Sequence, residues 1–97
     1  MTFDNIQNYY ETMVIKEINE LLIRKEIDSD EDFLNDLACV ALNQLPARYV
    51  RHNVDMIFYM TQEERQEMHD NVSEAVQTAI SYVSKHRHDD RPETISQ

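Results

Sequence analysis

The sequence predicts a mainly α-helical fold: a small domain of three to four helices with one short extended segment or strand, assembled as a dimer. Apolar residues recur at spacings of three and four in three separate stretches, which is typical of amphipathic helices. One intervening stretch instead alternates apolar and polar residues, as a strand does. Glycine is absent from all 97 residues, so no glycine-dependent phosphate loop or Rossmann turn can form.

The composition narrows the class of protein. A chain of 97 residues with 41% hydrophobic content fits one domain with a modest core, which can gain stability by dimerising. We assign residues 1–85 to this domain and residues 86–97 to a flexible tail. The formal net charge of −10 argues against a nucleic-acid binder, because such proteins neutralise phosphates with Lys and Arg. Neither a leader-like opening nor a membrane-length apolar run is present, so we expect a cytoplasmic protein with no membrane association.

The first helix is predicted from about Asn5 to Lys25. Asp4 or Asn5 can cap it, because a short polar side chain accepts a hydrogen bond from the first helical turn. The apolar positions expected to form its buried stripe are Ile6, Tyr9/Tyr10, Met13/Val14, Ile18 and Leu21/Leu22.

An acidic linker, EIDSDED, precedes the second helix. It lacks the glycine and final glutamate of an EF-hand loop, so we interpret it as a helix start, with Ser29 or Asp30 as N-cap, and not as a calcium site. The second helix, roughly Asp30–Gln44, is apolar on most of its circumference. This predicts a central helix covered on two or three sides, with Cys39 as an inert core residue. Pro46 ends the helix.

The segment from Tyr49 to Met60 is predicted to be extended or a short strand, because apolar residues occupy its even-numbered positions. A lone strand needs a pairing partner, and a second copy of the chain in a dimer would supply one. Thr61 and Glu64 form a capping box that starts the third helix. We expect this helix to run to about Lys85, where the periodicity is lost.

The segment Leu42–Tyr59 has an unusual charge pattern. The chain contains 19 Asp and Glu residues, yet none falls within residues 37–54, where Arg48 and Arg51 lie. Arginine offers forked donors for an anion such as phosphate, and Tyr49 lies between the two arginines. These residues predict a site for a small anionic ligand. The alternative is that both arginines pair with the protein's own carboxylates.

The sequence contains no pattern of residues that indicates a catalytic site or a metal site. No nucleophile, base and orienting group are arranged as a catalytic set, so we expect no enzymatic activity and no cofactor. A single cysteine excludes an intrachain disulfide and a thiolate zinc cluster. His86 and His88 are two residues apart on the expected tail, which predicts a solvated segment and not a metal site.

The run LNDLACVALNQLPARYVRH resembles the ComFB family of late competence development proteins. The preceding NYYETMVIKEI helix and the capped helix that follows fit the same pattern, so the resemblance covers roughly Ile6–Val83. It implies a small, mostly helical, dimeric cytoplasmic protein without recognised catalysis. Some members look like receptors for cyclic dinucleotides, chiefly cyclic di-GMP, tied to competence, pili or motility. Others hold zinc in a cysteine cluster, which Cys39 alone cannot reproduce.

The resulting hypothesis is a homodimeric signalling protein that binds cyclic di-GMP and acts on an as yet unknown protein partner. Asp55 can accept hydrogen bonds from guanine, and Asp36 can orient an arginine or bond a loop backbone. The alternative is a ligand-free homodimeric protein-interaction adaptor whose arginines are structural. The predicted ligand-binding residues are Arg48, Tyr49, Arg51, His52, Asp55, Asp36 and Tyr9.

Overall fold

The computed structural model describes residues 6–51 and 60–89. Three helices occupy most of these ranges, which confirms the mainly α class, and none of them is long and apolar enough to cross a membrane. In chain order the elements are β1 (Ile6–Asn8), α1 (Tyr9–Ile23), α2 (Glu31–Asn43), β2 (Tyr49–Arg51) and α3 (Gln62–Asp89).

The core lies where α1 and α2 pack against α3. Each helix contributes a stripe of apolar side chains, and the contact between α2 and α3 is the most extensive. Leu37, Val14 and Val76 are the largest side chains that are completely enclosed. Tyr10 is a core residue, as predicted. The buried members of the core are Tyr10, Val14, Ile18, Leu21, Phe33, Leu37, Ala41, Met60, Met68, Val72, Ala75, Val76, Ala79 and Val83.

Helix α1 starts later than the sequence predicts. Its N-cap is Asn8, whose backbone is extended and whose side chain accepts a hydrogen bond from the backbone N–H of Tyr10. The expected caps at Asp4 and Asn5 were therefore wrong. The helix cannot begin at Asn5 because Ile6–Asn8 forms a strand that pairs with β2.

The other end of α1 also falls short of its predicted limit, because Lys25 adopts the left-handed conformation with φ 60°. Its backbone N–H donates to the Leu22 carbonyl at 3.0 Å, and that of Glu26 donates to the Leu21 carbonyl at 2.9 Å. This pair of bonds is a Schellman motif, in which glycine is the usual left-handed residue. A chain without glycine places lysine there and stops the helix.

Helix α2 is more exposed than the sequence predicts. Its buried residues are Phe33, Leu37 and Ala41, which are spaced four apart and form one narrow stripe. Helix α2 nevertheless contacts both α1 and α3, and Leu34, Ala38, Val40 and Leu42 are partly buried against the core, so the expected coverage on two sides is confirmed. The core assignment of Cys39 was wrong, because Cys39 is exposed. The helix start was predicted correctly, because the Asp30 carboxylate accepts a hydrogen bond from the Phe33 backbone N–H at 3.0 Å.

The two strands form an antiparallel sheet within one chain. Val50 is buried while its neighbours Tyr49 and Arg51 are exposed, so the predicted alternation is confirmed for this strand. Residues 52–59 of the predicted extended segment lie outside the described residues. The premise that this strand lacks a partner within the chain was wrong, because β1 supplies one, and its pairing with a second copy stays a prediction. The paired residues are Ile6 with Arg51, Gln7 with Val50 and Asn8 with Tyr49.

Helix α3 begins at the capping box that the sequence predicts. The Glu64 backbone N–H donates to the Thr61 hydroxyl oxygen at 3.0 Å, and the Thr61 backbone N–H donates to the Glu64 carboxylate at 3.0 Å. The two residues thereby satisfy donors that the first turn of a helix leaves free.

Helix α3 extends about one turn past its predicted end at Lys85. The imidazole ring of His86 stacks on the Tyr82 ring, with the ring centroids 4.0 Å apart. The Nδ1 atom of His86 lies 2.9 Å from the Tyr82 carbonyl oxygen, to which it can donate. Both contacts join residues that are one helical turn apart, and they lie where the helix continues past its predicted end. Residues 90–97 of the predicted tail lie outside the described residues.

Candidate ligand-binding site

Asn8 fastens the arginine-bearing strand to the start of α1. Its side-chain oxygen accepts hydrogen bonds from the backbone N–H groups of Tyr10 at 3.2 Å and Arg48 at 2.9 Å. The backbone N–H of Tyr9 donates to the Arg48 carbonyl at 2.7 Å. Both backbone polar groups of Arg48 are therefore held at the point where β1 becomes α1. Sequence reasoning missed Asn8, whose one local signal is the preference of asparagine for helix caps.

The outer face of β2 presents an aromatic ring and a cation to solvent. Successive strand residues point to opposite faces, so Tyr49 and Arg51 share a face while Val50 points into the protein. Tyr49 keeps 68% of its surface exposed. Cross-strand neighbours share a face, which places Ile6 beside Arg51. The outer face thus combines a stacking surface with a phosphate-binding group.

The arginines of this region are not engaged by nearby acids. Among the described residues, the one ion pair joins Arg24 to Glu26 at 2.9 Å, and this hydrogen bond raises the pKa of Arg24. Neither Arg48 nor Arg51 forms a side-chain hydrogen bond or an ion pair with any carboxylate in that part of the chain. Asp36 is exposed on α2 and forms no ion pair within the described ranges, so its role in orienting an arginine stays a prediction. Over the described ranges, the ion-pair alternative for these two arginines finds no support.

A groove between α1 and α3 opens beside this region, and we call it the α1–α3 groove. It has a volume of about 270 Å³ and combines aromatic, cationic and acidic side chains. Tyr9 belongs both to the groove and, through its backbone, to the contact with Arg48. Sequence reasoning missed the other members because each one, taken alone, fits a solvated helix face or the core. The lining residues are Tyr9, Thr12, Met13, Lys16, Glu17, Glu20, His69 and Val72.

The backbones of four of the seven predicted site residues lie at the junction of β1, β2 and α1. They are Tyr9, Arg48, Tyr49 and Arg51, and together with Asn8 we call them the junction site. Asp36 has no described contact with them. His52 and Asp55 lie outside the described residues.

The fold and the site define a small helical domain in which a two-stranded sheet carries arginine and tyrosine at the start of the first helix. The chain belongs to the ComFB family: the family model described as late competence development protein ComFB matches residues 7–87. This match runs from β1 to within the last turn of α3 and confirms the resemblance seen in the sequence. Family membership implies a role related to competence. No curated protein and no solved structure gives a significant match.

Proposed function

We propose that this protein is a signalling module that binds cyclic di-GMP at the junction site and relays its presence to a protein partner in competence, pilus or motility control. The observation that carries the proposal is that Arg48 and Arg51, on either side of the exposed Tyr49, have no carboxylate partner among the described residues. Guanidinium groups bind phosphate through paired donors, and a tyrosine ring stacks on a purine. A cyclic dinucleotide presents both kinds of group.

The acidity of the whole chain does not oppose this proposal. The net charge is −10, but at physiological salt exposed charges are screened beyond about 8–10 Å. In the sequence around Arg48 the charged side chains are cationic, since residues 37–54 contain no acid, and the acid of the adjoining first turn of α1 is Glu11. The N-terminus of α1 also lies there, and the positive end of a helix dipole favours an anion. The local field therefore supports phosphate binding.

Thermal unfolding with and without cyclic di-GMP tests the proposal. A ligand that binds only the folded state stabilises it by mass action, by about 2.7 kcal/mol at a ligand concentration 100 times the Kd. For a domain of this size each kcal/mol raises the Tm by about 4–8 °C. We therefore expect a Tm increase of about 10 °C or more at saturating ligand.

The matched control for this experiment is GMP, which carries the same base without the cyclic diphosphate frame. It should raise the Tm far less at the same concentration, because it cannot engage both arginines and a second base together. An unchanged Tm at millimolar cyclic di-GMP would contradict the proposal.

A second candidate function is a ligand-free homodimeric adaptor, which the exposed apolar side chains of α1 favour. Ile15 and Ile23 keep 48% and 79% of their surfaces exposed and lie eight residues apart, so they share one helix face. Adaptors bury such residues against a partner. This candidate predicts that Arg51→Ala lowers the Tm or dissociates a dimer in light scattering, while no cyclic dinucleotide changes either quantity.

A further inference from the structure

The α1–α3 groove has the size of a subsite for one base. Its volume of about 270 Å³ lies just below the roughly 300–1,000 Å³ of pockets that hold drug-sized ligands. A complete cyclic dinucleotide would exceed it, whereas a single purine would not. Its walls come from two packed helices, so the groove is a fixed feature of the fold.

The groove and the junction site are directly connected through Tyr9. The backbone N–H of Tyr9 is bonded to the Arg48 carbonyl at 2.7 Å, and the same residue lines the groove. The backbone of Arg48 therefore adjoins a residue that lines the groove, so one ligand can span the groove and the junction site. The half-buried ring of Tyr9 offers a stacking surface there.

Glu17 gives the groove a means of distinguishing bases. It is half-buried, and it forms no hydrogen bond or close ion pair with the other residues that the structure describes, although its charge interacts with that of Arg24. A carboxylate removed from water needs donors to compensate for the lost hydration. Guanine presents N1–H and N2–H donors on one edge, whereas adenine has an acceptor at N1. A carboxylate therefore accepts two hydrogen bonds from guanine but only one, from N6–H, from adenine, whose N1 lone pair opposes its second oxygen.

The remaining polar groups of the groove suit the other side of guanine. Lys16 lies on the same face of α1 as Glu17 and Glu20, and His69 faces them from α3. Lysine is a donor that pairs with the O6 and N7 acceptors of guanine, and one ring nitrogen of a neutral histidine can also donate. The groove thus offers donors at Lys16 and His69 and an acceptor at Glu17, which are the kinds of group that the edges of guanine can bond.

From these observations we infer that the α1–α3 groove is the guanine subsite of the ligand and that Glu17 selects guanine over adenine; this inference rests on the proposed function. The base stacks on Tyr9, its N1–H and N2–H groups donate to the Glu17 carboxylate, and a phosphate reaches Arg48.

Calorimetric titration of Glu17→Gln with cyclic di-GMP and cyclic di-AMP tests the inference. Losing a charge-assisted hydrogen bond should weaken cyclic di-GMP binding about 10- to 100-fold. Binding of cyclic di-AMP should stay the same or strengthen, so the preference for guanine falls. The matched control is Glu31→Gln on α2, because Glu31 is exposed and lies outside the groove, so its replacement should change neither affinity.

A second variant, Tyr9→Leu, separates stacking from base selection. Stacking on an aromatic ring tolerates every base, so this variant should weaken both dinucleotides alike and leave their ratio unchanged. Circular dichroism confirms that each variant is folded before it is titrated.

The outcomes distinguish this inference from the proposed function. If wild type binds cyclic di-GMP but Glu17→Gln keeps the same preference for it, the subsite assignment is wrong and the proposed function stands. Equal wild-type affinity for the two dinucleotides also overturns the assignment alone. If wild type binds neither, both the assignment and the proposed function fall.

Discussion

Replacing Arg48 and Arg51 together by alanine is expected to weaken cyclic di-GMP binding by about 100-fold or more, because each charge-assisted hydrogen bond to a phosphate contributes about 1.5–3 kcal/mol. The two guanidinium groups have no carboxylate partner within the described residues, so removing them leaves no buried acid unpaired. The folded state should therefore survive, with a Tm close to that of wild type. Calorimetric titration measures the affinity, and thermal unfolding measures the Tm.

The matched control is Arg24→Ala. Arg24 is engaged by Glu26 and caps the far end of α1, about 22 Å from the junction site along the helix. Its ion pair is exposed, and such pairs contribute little to stability. An equal loss of affinity in Arg24→Ala, or wild-type affinity in the double variant, would remove the support for a site at Arg48 and Arg51.

Replacing Leu37 by alanine is expected to lower the free energy of unfolding by about 2–5 kcal/mol. Leu37 has no exposed surface and lies in the middle of the α2 stripe that packs on α3. The substitution loses the transfer free energy of the deleted methyl groups and leaves a cavity. The free energy of unfolding of a small domain is only about 5–15 kcal/mol, so this single change removes a large part of the stability. Urea unfolding followed by circular dichroism measures it.

Cys39→Ala on the same helix is the control for Leu37→Ala. Cys39 is exposed, so its replacement should change the free energy of unfolding by no more than about 0.5 kcal/mol. A loss comparable to that of Leu37→Ala would mean that α2 is covered on the side that the structure shows as open. That result would support the central-helix assignment that the sequence alone suggests.

The features of the fold that depend on neighbouring residues were predictable from sequence. The Asp30 cap and the capping box of Thr61 and Glu64 each involve groups three residues apart, so the sequence contains the whole interaction. The start of α1 was not predictable in this way. It is set by Asn8, whose side chain bonds a backbone group 40 residues away. Local helix preference favours an earlier start, and strand pairing overrides it.

The burial of α2 shows a second limit of sequence reasoning. Apolar residues on most sides of a helix predict coverage on most sides, but coverage depends on how many elements lie around it. In the described ranges α2 packs against α3 and α1, and neither helix covers the side that carries Cys39, which stays exposed although its sequence neighbours are apolar.

The candidate site also has a part that the sequence predicts and a part that depends on the fold. Arg48, Tyr49 and Arg51 are neighbours in sequence, so the sequence alone shows that no acidic residue lies near them. Tyr9 was also predicted, but its contact with Arg48 was not. The α1–α3 groove is formed by helices that are distant in sequence, so the role we propose for Glu17 depends on the fold.

A titration of ¹⁵N-labelled protein with cyclic di-GMP, followed by two-dimensional NMR, tests most directly whether the junction site holds the ligand. We predict saturable shifts concentrated on the amides of Asn8, Tyr9 and Arg48–Arg51. An absence of shifts at millimolar ligand would contradict binding itself. Shifts confined to the face of Ile15 and Ile23, with the amides of Arg48–Arg51 unmoved, would contradict the location of the site.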